Sequence, residues 1–331
     1  MVLVLLEEKF RIQKQIMHVI SAKSEAVELK WIPKMQDPCK SQKQLAPSLQ
    51  ELCLTILAKN ADAITSLGCV PDVLRHKISW FLCDNRRMDA HFLELLLHGT
   101  PTEIRRVLQF DQCGCCIPDY ALSATLARFP NCLPALTTIS LKGAYRLMEA
   151  GLCMPVSSAT SLKSVDISQC PLLTSEGICS LTNSLQSVLR ELYLDNAHGI
   201  DAMLILPALL ELENLEVLSV AGIQTVTDDF ISEVVSVHGC RMKELILADC
   251  MVVELTDSSL EVLGHTCLGL RAIDLTNLCK LTDVSIGHLA NGCHAIQMIK
   301  LCRNVFSGEA VVAYLDVRGA CLKDLSFNNI I

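Results

Sequence analysis

The stretch Leu270-Arg271-Ala272-Ile273-Asp274-Leu275-Thr276-Asn277-Leu278, closed by Leu281-Thr282-Asp283, decides the fold. Ile273 and Leu275 flank the polar Asp274, the alternation of a short half-buried strand whose successive side chains face opposite ways. After Thr282-Asp283 the period changes, because Ile286 and Leu289 follow at helical spacing. Thr282 is placed to accept the unpaired N–H groups of a first helical turn. Strand, turn, helix and turn together take about 26 residues, and the pattern then starts again. Aligned on L-x-x-L-x-L-x-x-(C/N/small), the copies are Leu136-Ile139-Leu141-Ala144, Leu162-Val165-Ile167-Cys170, Leu189-Leu192-Leu194-Ala197 and Leu215-Leu218-Val220-Ile223. Met242-Leu245-Leu247-Cys250, Leu270-Ile273-Leu275-Leu278, Ile296-Ile299-Leu301-Asn304 and Leu322-Leu325-Phe327-Ile330 continue the series. Successive first positions are 26, 27, 26, 27, 28, 26 and 26 residues apart.

A fixed period of this length and pattern specifies an α/β leucine-rich-repeat solenoid. Narrow strands on one side and wider helices on the other impose curvature, so the expectation is a horseshoe with a parallel sheet on its concave face. A degenerate copy precedes the regular ones, with Leu108, Phe110 and Cys113 in its later positions and Arg105 in the first. The solenoid is therefore assigned to residues 105–331, a small helical module to 46–104, and a poorly ordered extension to 1–45.

Composition agrees with a repetitive core: 51% of the 331 residues are apolar and only 4% aromatic. The net charge of -8 offers no overall attraction to a phosphate backbone, which makes direct nucleic-acid binding an unexpected role. Met1–Leu6 is apolar but is interrupted by Glu7 and Glu8, so it is neither a signal peptide nor a membrane span. The eighteen cysteines lie largely within apolar runs of a long chain, and they read as reduced core thiols of a nuclear or cytoplasmic protein. Cys113-Gly114-Cys115-Cys116 lacks a second ligand pair at zinc spacing. No phosphate-binding loop or nucleophile elbow is present. A non-catalytic role without metal or cofactor is expected.

Strand geometry points alternate residues away from the core, and these include Asp111, Asp166, Glu191, Tyr193, Asp195, Glu244, Asp274 and Lys300. The acids among them predict an inner surface suited to a basic or polar segment of a protein substrate. One residue upstream runs a basic row, Arg106, Lys163, Arg190, Lys243, Arg271 and Lys323. It is read as ion-paired with neighbouring acids such as Asp166 and Asp274 rather than as a rail for phosphate.

Ahead of the repeats, Leu49, Leu52, Cys53, Ile56 and Leu57 form one apolar helical stripe, and Ser48 is placed to start the helix. Pro71 opens a second helix through Leu74, Ile78, Phe81 and Leu82, and His91–Leu97 a third. The first helix reads Ser48-Leu49-x-x-x-Cys53-x-x-x-Leu57 and resembles the elongin-binding box of elongin A and of the suppressor-of-cytokine-signalling box. That resemblance implies Leu49 as the anchor on elongin C, Cys53 as second contact and Leu57 as support, with the Val70-Pro71 neighbourhood a weaker candidate for contact with a cullin. The plain structural alternative is an amphipathic helix capping the first repeat, with Leu49, Leu52 and Ile56 as ordinary core.

The repeats carry a further likeness. C-x(2)-L-x(2)-L-x-L-x(2)-C followed by L-T-D resembles the cysteine-containing leucine-rich repeats of F-box proteins, with Cys240, Cys267 and Cys293 recurring before the strands. Box and repeats together resemble the Rad7-like repeat subunit of the yeast-type nucleotide-excision-repair complex, which acts with a Swi/Snf-type ATPase. The resemblance implies a substrate receptor or adaptor of a cullin-RING ubiquitin ligase, linked to repair of ultraviolet damage and to ubiquitin-dependent degradation. An F-box (SCF) receptor, a non-ligase scaffold and a damaged-DNA binder are the alternatives.

Three departures from the period carry expectations of their own. The step from Arg105 to Leu136 is 31 residues and suggests a lost repeat. Met251–Glu254 lengthen a turn and predict a bulge. The chain stops at Ile331 just after a strand, which predicts an uncapped, aggregation-prone end.

Overall fold

The computed structural model describes residues 48–68, 70–97, 107–109, 119–128, 133–152, 159–250 and 255–327. The expected extension, the bulge at Met251–Glu254, the Cys113–Cys116 run and the last four residues lie outside the described residues. The chain forms two compact units, Met1–Cys69 and Val70–Ile331, so the division falls inside the stretch assigned above to one helical module.

In the first unit, helix α1 (Leu49–Lys59) is opened by a capping box. Ser48 Oγ accepts from the Glu51 amide at 3.2 Å, and Glu51 Oε2 accepts from the Ser48 amide at 2.6 Å. Two of the first-turn donors that no helix can satisfy internally are thus paired. Leu54, Ala58 and Ala61, spaced i, i+4 and i+7, are buried with Ile64 and Leu67.

The second unit begins with α2 (Asp72–Asp84) after Pro71, and α3 (Ala90–Leu97), which buries Phe92, Leu93, Leu96 and Leu97. Nine three-residue strands follow as one open parallel sheet in chain order: β1 (Val107–Gln109), β2 (Thr138–Ser140), β3 (Ser164–Asp166), β4 (Glu191–Tyr193), β5 (Val217–Ser219), β6 (Glu244–Ile246), β7 (Ala272–Asp274), β8 (Met298–Lys300) and β9 (Asp324–Ser326). Every pair is in register, so the central residues Leu108, Ile139, Val165, Leu192, Leu218, Leu245, Ile273, Ile299 and Leu325 form a single row. All of that row but Leu325 are buried. These are the residues that the L-x-x-L-x-L alignment places there. β1 pairs directly with β2, with α4 (Asp119–Arg128) between them in the chain. The first copy is therefore a longer repeat with its own strand and helix.

The helices between later strands are α5 (Ser175–Ser184), α6 (Ala202–Leu210), α7 (Asp228–His238), α8 (Asp257–Thr266), α9 (Asp283–Gly292) and α10 (Gly308–Arg318). Thr174, Thr227, Thr256, Thr282 and Ser307 cap five of them through their hydroxyl oxygens. Asp228 then does something the strand-and-helix pattern does not announce. Its carboxylate reaches the next repeat, accepting from the Thr256 amide at 2.9 Å and the Thr256 hydroxyl at 2.5 Å. Asp257 grips Thr282 in the same way, at 2.9 and 2.6 Å, and Asp283 grips Ser307, at 2.8 and 2.7 Å. The Thr-Asp pair thus both starts a helix and bolts it to its successor.

Inside the turn, Cys170 Sγ donates to the Leu141 carbonyl and Cys250 Sγ to the Val220 carbonyl, each at 3.3 Å. Asn304 performs the equivalent task with its amide, donating to Leu275 O at 2.8 Å and accepting from Leu278 N at 2.7 Å. Buried backbone groups left between stacked turns need such partners.

One residue earlier the backbone of every described copy from β2 to β8 turns left-handed, at Gly143, Gln169, Asn196, Gly222, Asp249, Asn277 and Arg303, with φ between 55° and 73°. Gly143 and Gly222 adopt this without penalty, and Asn and Asp tolerate it, but Gln169 carries a Cβ strain. Gln169→Gly is therefore expected to stabilise the chain by about 0.5–1 kcal/mol after the added chain entropy of the unfolded state is counted. The urea midpoint should rise at unchanged slope; an unchanged or lower midpoint would show that the turn is unstrained.

Candidate functional site

Two surfaces hold the residues singled out from the sequence. On α1, packing uses the Leu54–Ala58 side, which leaves the other apolar stripe outward: Leu49 is 50% exposed, Leu52 46% and Ile56 59%. Cys53 and Leu57 are half-buried at the margins of that stripe. Leu49, Leu52 and Ile56 are exposed on α1, not the ordinary core residues of the alternative reading. Residues of this size held outward on one helix face form an apolar ridge suited to a groove on a partner. Val70 is half-buried and Pro71 exposed at the start of α2.

The second surface is the sheet face opposite the helices. Its register sets Glu191 beside Val217 and that residue beside Glu244, while Asp166, Tyr193 and Ser219 stand side by side in a parallel row. Tyr193 is half-buried at the centre. Its hydroxyl is pushed up to about 12, first by burial and then by the charges of Glu191, Glu244, Asp166 and Asp195. Four carboxylates thus place Tyr193 in a negative field. Asp195 Oδ1 accepts from the Ser219 hydroxyl and from the Ala221 amide at 3.1 Å. Burial still holds the Asp195 carboxyl above the usual range, with Asp166 adding to the rise and the two hydrogen bonds opposing it. Asp166 accepts from the Ser168 amide at 3.0 Å. A cation placed over Tyr193 would gain both from the ring face and from this negative field.

Asp274 and Lys300 stand apart from that cluster and satisfy each other at 3.1 Å, with Asp274 buried beneath the lysine. Asp111 lies outside the described residues. The basic row departs from expectation in its partner. Arg190 and Lys243 both pair with Glu216, at 2.8 and 2.5 Å, rather than with Asp166 or Asp274. Glu216 occupies the same row one copy between them, and the break in a run of basic residues was the signal that could have found it. Its carboxyl is held below the ordinary range chiefly by the Lys243 hydrogen bond.

Burial pushes the thiols of Cys170, Cys250 and Cys293 up to about 12 and that of Cys267 to about 11. Thiols held so far from ionisation are poor nucleophiles. Cys240, Cys279 and Cys321 are exposed, so the expectation of uniformly buried thiols fails at these three. No grouping of three or more His, Cys, Asp or Glu suited to a metal ion occurs among the described residues, and no described helix is long and apolar enough to cross a membrane.

No family model matches the chain. Among curated proteins it is similar to the DNA repair protein rhp7 of Schizosaccharomyces pombe, 24% identical over 266 residues that cover 72% of this chain and 45% of the relative. The chain thus spans less than half the length of that relative. Among solved structures it is similar to the crystal structure of the Rad7 and Elc1 complex in yeast, at 19% identity and a TM-score of 0.44, covering 85% of this chain and 92% of that one. It is also similar to the TLR13–ssRNA13 complex, at 17% identity and a TM-score of 0.42, covering 67% of this chain and 30% of that one. The similarity to rhp7 agrees with the reading of the chain as a Rad7-like repeat protein.

Proposed function

We propose that this chain is a non-catalytic receptor subunit of a cullin-type ubiquitin ligase acting in nucleotide excision repair in the nucleus. It docks an elongin C-type adaptor through α1 and takes a basic segment of a protein substrate on the concave sheet. The observation that carries the reading is the outward apolar stripe of α1, on which the elongin-box anchor Leu49 stands exposed with Cys53 beside it. A box motif buried in a core could not engage a partner; this one is turned to solvent. The likeness to a DNA repair protein supports the repair assignment. The negative field of Asp166, Glu191, Asp195 and Glu244 at Tyr193 supports a basic rather than an acidic substrate segment. Contact of the Val70-Pro71 neighbourhood with a cullin, and association with a Swi/Snf-type ATPase, complete the assembly in this reading.

The test is capture of elongin C by the full chain. Leu49→Ala with Cys53→Ala should weaken capture at least about tenfold, the loss expected when an interface anchor is truncated. Since both side chains reach the surface, the thermal midpoint should hardly move. Undiminished capture by the double variant would sink the box assignment. Capture of Skp1 in its place would point to an F-box receptor, and strong salt-sensitive binding of damaged DNA to a direct damage binder.

A further inference from the structure

One inward position, seven residues after the first buried aliphatic residue of each helix, is filled in successive repeats by Leu185, Leu212, His238, Cys267 and Cys293. All five are buried. His238, the last residue of α7, thus stands where its neighbours in the row are a leucine and a cysteine. Its Nε2–H donates to the Leu209 carbonyl near the end of α6 at 3.0 Å. A carbonyl can only accept, so this contact assigns the ring proton to Nε2 and leaves a bare lone pair on Nδ1. Nδ1 is buried with no hydrogen-bond partner.

The charged groups on the packed elements do not compensate it. α6 contains no ionisable side chain, and Glu211 just beyond its end is exposed and bound by Gln186. On α7 itself Asp229 and Glu233 are exposed, and Asp228 is committed to Thr256. On α8, Glu261 and His265 are exposed, and Asp257 is committed to Thr282. Cys267, next in the row, is a neutral buried thiol. Arg241 contributes a positive charge that further opposes a second proton.

We propose that His238 is an acid-sensitive latch between α6 and α7: a second proton, taken up at Nδ1, leaves a buried imidazolium without an acceptor, and the junction opens to hydrate it. Burying an unpaired charge is among the least favourable arrangements a protein interior can hold. Burial holds the basicity of His238 below its ordinary value, the Leu209 bond opposes that fall and Arg241 reinforces it. The sign follows from linkage. The opened state binds the proton near pH 6.5 and the closed state does not, so the closed form is favoured above that pH and loses ground below it. The opening constant then scales as one plus the ratio of protonated to neutral histidine in the opened state, a rise of about tenfold from pH 7.5 to pH 5.5.

Hydrogen exchange on the full chain at these two pH values, corrected for intrinsic exchange rates, reads this directly. Amides of residues 202–212 and 228–242 should show an opening constant about tenfold larger at pH 5.5, relative to the amides of α9. His238→Leu, which restores the residue found at Leu185 and Leu212, should abolish that local pH dependence. His238→Gln keeps an N–H for Leu209 without a titrating group and should abolish it as well, which guards against a leucine variant that packs poorly. Equal protection of the wild-type segments at both pH values overturns the proposal. So does a tenfold loss that persists in both variants.

Discussion

Gly292→Ala is expected to cost about 3 kcal/mol or more, while Gly287→Ala in the same helix is expected to stabilise by about 0.5–1 kcal/mol. The difference is geometric. A Cβ at Gly292 would sit 1.8 Å from the Gly264 carbonyl oxygen and 2.5 Å from its carbon, where ordinary contact begins at 3.4 Å. Both obstacles are backbone, so no side chain can swing aside. Relief requires α9 to retreat from α8 by more than about 1 Å, which opens gaps around the buried Leu260, Leu263, Ile286 and Leu289. Gly264 is tight on the same seam, with its own Cβ position 2.8 Å from the His288 carbonyl oxygen. Nothing lies within 4 Å of a Cβ at Gly287. There the added methyl only removes the conformational freedom that glycine keeps in the unfolded chain. Urea unfolding of the two variants beside wild type settles the matter, and equal midpoints for both would mean that the helices are not in backbone contact.

The strands and their register were legible because each is a three-residue segment with one invariably apolar centre, and a shift by one residue would turn that centre to solvent. Helix starts were legible for the same local reason: Thr256 and Thr282 carry the capping oxygen themselves. The left-handed turn residue was not legible. Gly, Gln, Asn, Asp and Arg all occupy it, since the requirement is on the backbone and several side chains endure it. The face that α1 presents was also hidden. Leu49, Leu52, Cys53 and Ile56 make one apolar stripe and Leu54, Ala58 and Ala61 another, and periodicity alone does not say which of two apolar stripes is inside.

The concave site was half legible. Alternation named Asp166, Glu191, Tyr193, Asp195 and Glu244, and the parallel register sets Asp166 beside Tyr193 on the same sheet face. What it did not foresee is that the sheet partly buries its own outward row: Ser140, Ser168 and Asp274 are covered by neighbouring strands and side chains. Partners twenty-five or more residues away decide these burials, and such contacts depend on stacking rather than on any local pattern. Glu216 makes the point with charge. Read alone it is one more acid, whereas in the stacked array it lies between Arg190 and Lys243 and neutralises the centre of the basic row.

The same stacking logic gives the second large effect. Asp257→Asn should destabilise the chain by about 2 kcal/mol at neutral pH, the scale of hydrogen bonds lost from a charged acceptor. The Asp257 carboxylate accepts from the Thr282 amide, the Thr282 hydroxyl and the Ser285 hydroxyl. An asparagine offers one oxygen and turns an NH2 group toward donors, so at least one of those donors loses its acceptor. Burial alone would raise the Asp257 carboxyl, but the bonds from Ser285 and Thr282 outweigh it and hold it below its ordinary value. A depressed carboxyl contributes stability that is present above the unfolded-state value near 3.9 and is lost as pH falls through the lower folded-state value. The gap between wild type and Asp257→Asn should therefore be full at pH 7, begin to shrink below about pH 4 as the unfolded chain takes up its proton, and go on shrinking as pH falls toward the lower folded-state value. Urea titrations at pH 7 and pH 3.5 compare the full gap with one that has begun to close. A gap that is the same at the two values would assign the loss to packing and not to the charged bracket. Because Asp228 and Asp283 hold their successors by the same two-point grip, a confirmed pH-dependent gap at Asp257 identifies the Thr-Asp pair as the fastener that makes neighbouring repeats fold as one.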